Sequence, residues 1–140
     1  MIKWAGRIIV LCGVAHLLGA LWMTAPRYAA GWFGGALWQE RTHNQIHLVE
    51  MSHSTAAFWF TVYCFSVPLI LVGLTVLWLE RRGITPPTFI EWTVAAWTIV
   101  GEVLSGPSPL VLLLLAAGLL LAGARRATHQ DNPMPHAVTT

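Results

Sequence analysis

The chain has 140 residues, which is enough for one domain. Hydrophobic residues make up 56% of it and charged residues 10%, whereas roughly 25% of a typical soluble domain is charged. The formal net charge of +2 is too small to indicate nucleic-acid binding. The composition excludes an ordinary soluble enzyme and a nucleic-acid-binding protein, and it predicts an integral protein of the lipid bilayer.

The first apolar run predicts a membrane span over about residues 5–24, close to the ~20 residues that a helix needs to cross a bilayer. Pro26 is expected to end this span. Residues 25–39 mix aromatic side chains with glycine, which is typical of an interfacial loop or a short surface helix. Lys3 and Arg7 precede a run that is long and lacks a convincing cleavage site, so the span is expected to be retained rather than removed as a signal peptide.

Three further spans follow. The second is predicted over about residues 54–79, with a kink at Pro68 because proline has no N–H for the helical hydrogen-bond ladder. The third is predicted over 88–104 and the fourth over 110–124, separated by the turn sequence S-G-P-S-P. Residues 127–140 are polar and are expected to form a disordered tail.

The predicted fold is therefore an all-α bundle of four transmembrane helices over residues 1–126, with an interfacial segment on its outer side. In this topology most basic residues fall on one side of the membrane, namely Lys3, Arg7, Arg81, Arg82, Arg125 and Arg126. Arg27 and Arg41 fall on the other side. The excess predicts a multi-pass protein of the bacterial plasma membrane with both termini in the cytoplasm. Cys12 and Cys64 lie inside apolar runs and are expected to be small packing residues.

The stretch Glu40–His53 contains an unusual concentration of ionisable residues, and it leads directly into the second span. At 100° per residue, His43, His47 and Glu50 share one narrow face of a helix. Whether the stretch extends the second span or lies on the membrane surface is left open. In either case it enters the membrane from the predicted outer side.

Two other segments direct ionisable groups toward the same depth. His16 lies near the middle of the first span, and Glu102 lies two residues before the end of the third. Ionisable groups inside a membrane are costly and therefore indicate function. The predicted convergence of three segments in the outer half of the bilayer is the main functional clue.

The leading hypothesis is an acid–base enzyme that needs no cofactor and no metal. A desolvated carboxylic acid beside a histidine can exchange protons with a substrate. Glu102 or Glu50 is the predicted proton donor, and His16, His47 and His43 are predicted to act as base, relay or orienting groups. Aromatic faces can stabilise a developing carbocation, and the predicted substrate-binding residues are Trp22, Trp38, Trp59 and Trp97. The substrate would be an apolar lipid or a terpenoid-like molecule, and the reaction an isomerisation, an epoxide opening or a cyclisation.

A second hypothesis is a non-catalytic membrane component that binds lipid or a partner protein through its outer polar stripe. Four spans enclose only a small cavity, so a homo-oligomer with shared sites is a further expectation. The alternative to a catalytic role for Glu102 is that its side chain reaches the interface or caps the turn at Ser105. Glu91, near the other end of the third span, is expected to face lipid headgroups or Arg82.

A third hypothesis is a metal- or haem-binding protein. Glu40-x-x-His43 and Glu50-x-x-His53 each match the Glu-x-x-His pair of carboxylate di-metal bundles. The two copies would lie about 15 Å apart along one helix, so they cannot share one cluster within a chain. A site built from His43, His47 and Glu50, with or without His16, stays open.

Several short motifs carry a resemblance. They are K-W-A-G-R, G-V-A-H-L-L-G-A, T-A-P-R-Y, G-W-F-G-G-A-L-W and R-R-G-I-T-P-P-T-F, which lie between residues 3 and 89, and the likeness covers about residues 3–126. With them the chain resembles an uncharacterised family of small four-helix integral membrane proteins from bacteria, of actinobacterial type. The resemblance implies four spans and supplies no activity, so it assigns no functional residue.

Overall fold

A computed structural model describes residues 1–35, 37–38, 52–62, 64–106 and 108–130. All regular structure in these ranges is helical, which confirms the all-α class. The helices with defined bounds are α1 (Ile2–Phe33), α2 (His53–Thr61), α3 (Ser66–Arg81), α4 (Thr88–Ser105), a short 3₁₀ turn (Pro109–Val111) and α5 (Leu112–Gln130).

Helix α1 is longer than the sequence predicts. It continues through Pro26 to Phe33, so the helix extends beyond the predicted span of residues 5–24, and Pro26 as the end of that span stays a prediction. Proline removes one backbone donor, but a helix can continue when its other hydrogen bonds and its packing hold it. The 32 residues make a helix of roughly 48 Å at ~1.5 Å per residue. That is longer than the bilayer core of ~30 Å.

The chain divides into two compact units. The first contains Met1–Val10 and Leu71–Thr140. In it, the start of α1 packs against the second half of α3 at glycine contacts: a Cβ atom on Gly73 would lie 2.9 Å from the backbone nitrogen of Val10 and 3.1 Å from the carbonyl oxygen of Gly6. This separation leaves no room for a side chain, so the two backbones meet directly.

The first unit also contains a helical hairpin of α4 and α5. Helix α4 ends at Gly106, which has a φ of 84° and donates its N–H to the carbonyl of Glu102. The positive φ favours glycine and ends the helix. Buried side chains of both helices form the core of this unit, among them Val94, Thr98, Leu113, Ala116, Ala117 and Leu120. Helix α5 runs to Gln130, so the predicted tail begins with helical residues, and residues 131–140 lie outside the described ranges.

The second unit contains Leu11–Ile70. Here α1 packs antiparallel to α2 and the beginning of α3. Trp32 contacts Ser54 and Phe58, whereas Gly13 lies against the first turns of α3. The last turns of α1 therefore lie against the start of α2, and a preceding part of α1 lies against the start of α3. This order of contacts shows that the helices run antiparallel.

Among the described residues, three segments are long and apolar enough to cross a membrane, namely Ile2–Phe33, His53–Arg81 and Pro109–Ala127. They indicate a membrane protein, as predicted. Helix α4, which carries Glu91 and Glu102, is not among them. The third predicted span is therefore helical, and its crossing of the membrane stays a prediction.

Candidate functional site

The second apolar segment is interrupted between α2 and α3. Helix α2 closes with a hydrogen bond from the Val62 N–H to the Phe58 carbonyl, and α3 opens with one from the Leu69 N–H to the Phe65 carbonyl. Pro68 lies in the first turn of α3, where its missing N–H costs little. The sequence predicts a kink at Pro68 within one helix, whereas the structure has a break just before it.

Polar side chains occupy this break. The Cys64 thiol donates to the carbonyl oxygen of Thr61 at 3.0 Å, and Cys64 Sγ lies 2.9 Å from Ser66 Oγ. The Thr61 hydroxyl donates to the Ala57 carbonyl at 2.6 Å. Thr61 and Ser66 are 1% and 0% exposed. Buried polar groups are costly unless they are hydrogen-bonded, and these three satisfy one another or the adjacent backbone.

His16 of α1 lies beside the same break. Its ring centroid is 4.7 Å from that of Phe65, with the planes tilted by 36°. One turn earlier, a Cβ atom on Gly13 would lie 3.1 Å from the Ser66 carbonyl oxygen, so the glycine brings the α1 backbone close to the start of α3. Within the described part of the chain, no hydrogen bond involves the His16 ring nitrogens. The structure therefore places an imidazole, a thiol and two buried hydroxyl groups at one helix break.

An aromatic cluster lies farther along α1 in the same unit. The indole N–H of Trp32 donates to the Ser54 carbonyl at 3.0 Å, and the Trp32 ring meets Phe58 edge-on at 5.8 Å. Tyr28 stacks on Trp32 at 6.5 Å. Aromatic pairs of this kind stabilise by about 0.5–1.5 kcal/mol beyond the area they bury. Trp32 thus holds α1 to α2, a role that the aromatic pattern of the sequence did not single out.

The other predicted site residues are the three ionisable residues before the second span, the four tryptophans and Glu102. His43, His47 and Glu50 lie outside the described residues, and their roles stay predictions. The predicted substrate-binding tryptophans all present exposed surface: Trp22 85%, Trp38 69%, Trp59 48% and Trp97 44%. Trp97 lines a shallow apolar depression on α4 together with Trp92, Thr93, Ala96 and Val100.

Glu102 is held by the turn that follows α4. Its carboxylate accepts from the Ser108 N–H and from the Ser108 hydroxyl, both at 2.6 Å. The Ser108 oxygen in turn accepts from the Leu110 N–H at 3.1 Å. Both carboxylate oxygens therefore act as acceptors in a cap of the turn, at Ser108 rather than at Ser105. The predicted role of Glu102 as proton donor stays a prediction, although this geometry does not favour it.

Glu91 has the opposite environment on the same helix. It is 3% exposed, and neither carboxylate oxygen has a hydrogen-bond partner among the described residues. The expectation that Glu91 faces lipid headgroups or Arg82 is therefore wrong, because the side chain is enclosed by protein. Glu91 and Glu102 are eleven positions apart, which places both on the same face of α4. One face of this helix thus carries one capped and one unpartnered carboxyl group.

The described residues contain no cluster of three or more histidine, cysteine, aspartate or glutamate side chains that could hold a metal ion. The stretch that carries both Glu-x-x-His copies lies mostly outside the described ranges. The metal and haem hypothesis therefore rests on the sequence pattern alone.

No curated protein and no solved structure is significantly similar to the chain. Residues 1–127 match the family of unknown function DUF6463, which covers α1 to α4 and most of α5. The chain, with its apolar helices and its polar helix break, belongs to this family of unknown function.

Proposed function

We propose that this protein is a membrane-embedded acid–base catalyst acting on an apolar lipid or terpenoid-like molecule, with proton transfer centred on His16. The observation that carries the proposal is the position of His16 at the break between α2 and α3, with no hydrogen bond to its ring among the described residues. Imidazole is the side chain whose unperturbed proton exchange falls near neutral pH.

The neighbours of His16 suit this chemistry. The face of Phe65, 4.7 Å away, stabilises an imidazolium through its ring quadrupole once His16 takes up a proton. The polar side chains of Thr61, Cys64 and Ser66 are hydrogen-bonded to one another or to the backbone, which leaves the His16 ring as the group at the break that has no hydrogen bond among the described residues. Glu50, His43 and His47 remain the predicted acid and relay groups.

The surroundings favour an apolar substrate. Exposed side chains next to the break are apolar, including Phe60, Val62 and Val67 at 76%, 40% and 52%. A molecule dissolved in the bilayer can reach such a surface without crossing water. Isomerisation, epoxide opening and cyclisation each need only proton transfer and a dry, aromatic-lined environment, and no cofactor enters the proposal.

Cells that produce the wild-type protein should accumulate an apolar product that cells without the protein lack. Cells that produce the His16→Phe variant should not accumulate this product. Phenylalanine preserves a ring against Phe65 but removes both nitrogens, so turnover is expected to fall by at least about 10²-fold, the usual contribution of a positioned acid or base. The measurement is untargeted mass spectrometry of membrane extracts, normalised to protein level. His53→Phe, at an exposed histidine that begins α2, is the matched control.

Two results would overturn this function. One is an identical extract from cells with and without the folded wild-type protein; the other is full conversion by His16→Phe. Either result would favour the second candidate, a non-catalytic membrane component that binds lipid or a partner protein. The capping geometry of Glu102 supports that candidate, because it assigns a structural role to one predicted acid.

The proposed topology has four spans in the bacterial plasma membrane, with α4 as the third span and both termini in the cytoplasm. The basic residues at the ends of α1, α3 and α5 support this orientation. Compartment-specific reporters fused to each terminus should therefore report the same, cytoplasmic side. Reporters on opposite sides would mean that only the three most apolar segments cross the membrane.

A further inference from the structure

We propose that a cleft between the ends of α1, α3 and α5 binds the phosphate of an anionic phospholipid headgroup. The cleft has a volume of about 320 Å³ and lies within the first unit. Residues 1–3 line it from the start of α1, Glu80 from the end of α3, and Gly123, Arg126 and Ala127 from the end of α5. The site is independent of the His16 centre.

A close helix contact forms the floor of the cleft. A Cβ atom on Gly123 would lie 2.6 Å from Cγ1 of Ile2, so the α5 backbone touches the first turn of α1. Ala5 and Ala124 are buried next to this contact, at 0% and 8% exposure. This contact holds the first turn of α1, which carries Lys3, against the part of α5 that carries Arg126.

The charges that line the cleft favour an anion. Lys3 and Arg126 reach it from two different helices, whereas Glu80 is its one acidic lining residue. None of the three forms an ion pair with another described residue. Arg81 and Arg125, both exposed neighbours in the chain, add to the positive potential. A phosphate can therefore bind to two cations that the described part of the protein leaves without a partner.

Two arginine–tryptophan pairs indicate where this end of the protein lies relative to the membrane–water interface. The Arg7 guanidinium lies 5.0 Å from the ring centroid of Trp4, and the Arg82 guanidinium lies 4.5 Å from that of Trp78. Tryptophan and arginine together are typical of the membrane–water interface. Trp4 adjoins Lys3 in the chain, and Trp78 lies two residues before Glu80. The cleft thus lies at the level of the lipid phosphates.

The adjoining surface favours a lipid over free phosphate. Trp4 and Trp78 are 61% and 51% exposed, and Leu74 is 50% exposed one turn before Trp78. Acyl chains attached to the bound phosphate can cover these apolar side chains, which an inorganic anion cannot do. Basic pockets between membrane helices bind anionic headgroups by this combination of charge and apolar contact.

Binding is measured on the full-length protein in neutral detergent, with short-chain phosphatidylglycerol, short-chain phosphatidylcholine and inorganic phosphate as separate probes. The double variant Lys3→Gln/Arg126→Gln is expected to weaken phosphatidylglycerol binding about thirty-fold, which corresponds to roughly 1 kcal/mol for each cation. Glu80→Gln should tighten it, because it removes the one negative charge from the cleft. Thermal unfolding of each variant confirms that it is folded.

Arg81→Gln/Arg125→Gln is the matched control, since it changes the net charge equally at the same end of the protein without altering the cleft lining. An equal loss of affinity in this control would overturn the proposal, because a general surface potential would then explain binding. Phosphatidylcholine bound as tightly as phosphatidylglycerol would overturn the role of charge. Inorganic phosphate bound as tightly as phosphatidylglycerol would show that the ligand is a free anion and not a lipid.

Discussion

Gly73→Ala is expected to destabilise the protein by about 1–3 kcal/mol, the usual cost of overpacking a rigid interior. The new Cβ atom would lie 2.7 Å from Cγ2 of Val10 and 2.9 Å from its backbone nitrogen. Valine is β-branched and cannot turn its methyl group away cheaply, and the backbone nitrogen cannot move without displacing α1. The helices must therefore separate to admit one methyl group.

Helical glycines in open surroundings supply the controls. At Gly101 in α4 and Gly118 in α5, an added Cβ atom would have no neighbouring atom within 4 Å. Alanine at either position should be neutral or stabilising by about 0.5–1 kcal/mol, because glycine weakens a helix interior. Thermal unfolding in detergent, followed by tryptophan fluorescence, measures all three variants. Equal stability of Gly73→Ala and Gly118→Ala would contradict the close contact between α1 and α3.

Gly6 and Gly73 both lie at the contact between α1 and α3, and alanine is expected to destabilise the protein less at Gly6 than at Gly73. The nearest atoms to a Cβ on Gly6 belong to the Leu77 side chain at 2.8 Å, with the Gly73 carbonyl oxygen farther away at 3.2 Å. A leucine side chain can change rotamer, so Gly6→Ala should cost less than Gly73→Ala. The same fluorescence measurement gives the order of the two variants.

Sequence patterns predicted the helices well because a hydrophobic run of sufficient length is a local property. They failed where the outcome depends on tertiary contacts. Pro26 has no N–H wherever it lies, yet α1 continues through it. The sequence between α2 and α3, residues 62–65, contains neither glycine nor proline, so these four residues themselves do not predict a break. Pro68, three residues later, was the one indication that the segment is irregular.

The candidate site likewise contains some residues that the sequence could identify and others that it could not. His16 could be selected from the sequence because a histidine amid apolar residues is unusual in a membrane span. Cys64 and Ser66 could not, since small polar residues are common in such helices and only the break brings the thiol and the hydroxyl together. The burial of Glu91 depends on the packing of α4 in its unit, which sequence periodicity does not reveal.

Leucine substitutions at the two glutamates of α4 are expected to change stability in opposite directions. Glu91→Leu should stabilise the protein by about 1–3 kcal/mol, because it removes a buried polar group without a described hydrogen-bond partner and replaces it with an apolar side chain of similar volume. Glu102→Leu should destabilise it by about 1–3 kcal/mol, because it leaves the Ser108 N–H and hydroxyl without their charged acceptor.

The pair is its own control, because both variants replace the same residue type on the same face of the same helix. Thermal unfolding in detergent again supplies the measurement, and Ser108→Ala should reproduce part of the loss seen in Glu102→Leu. A destabilised Glu91→Leu variant would show that the Glu91 carboxyl group has a stabilising partner. The interpretation of Glu91 as a buried acid without a partner would then be wrong. If Glu91→Leu stabilises the protein and Glu102→Leu destabilises it, then Glu91 lowers the stability of the wild-type protein, as a residue kept for function does. That outcome would make Glu91 the next acid to test alongside His16 in the membrane-extract assay.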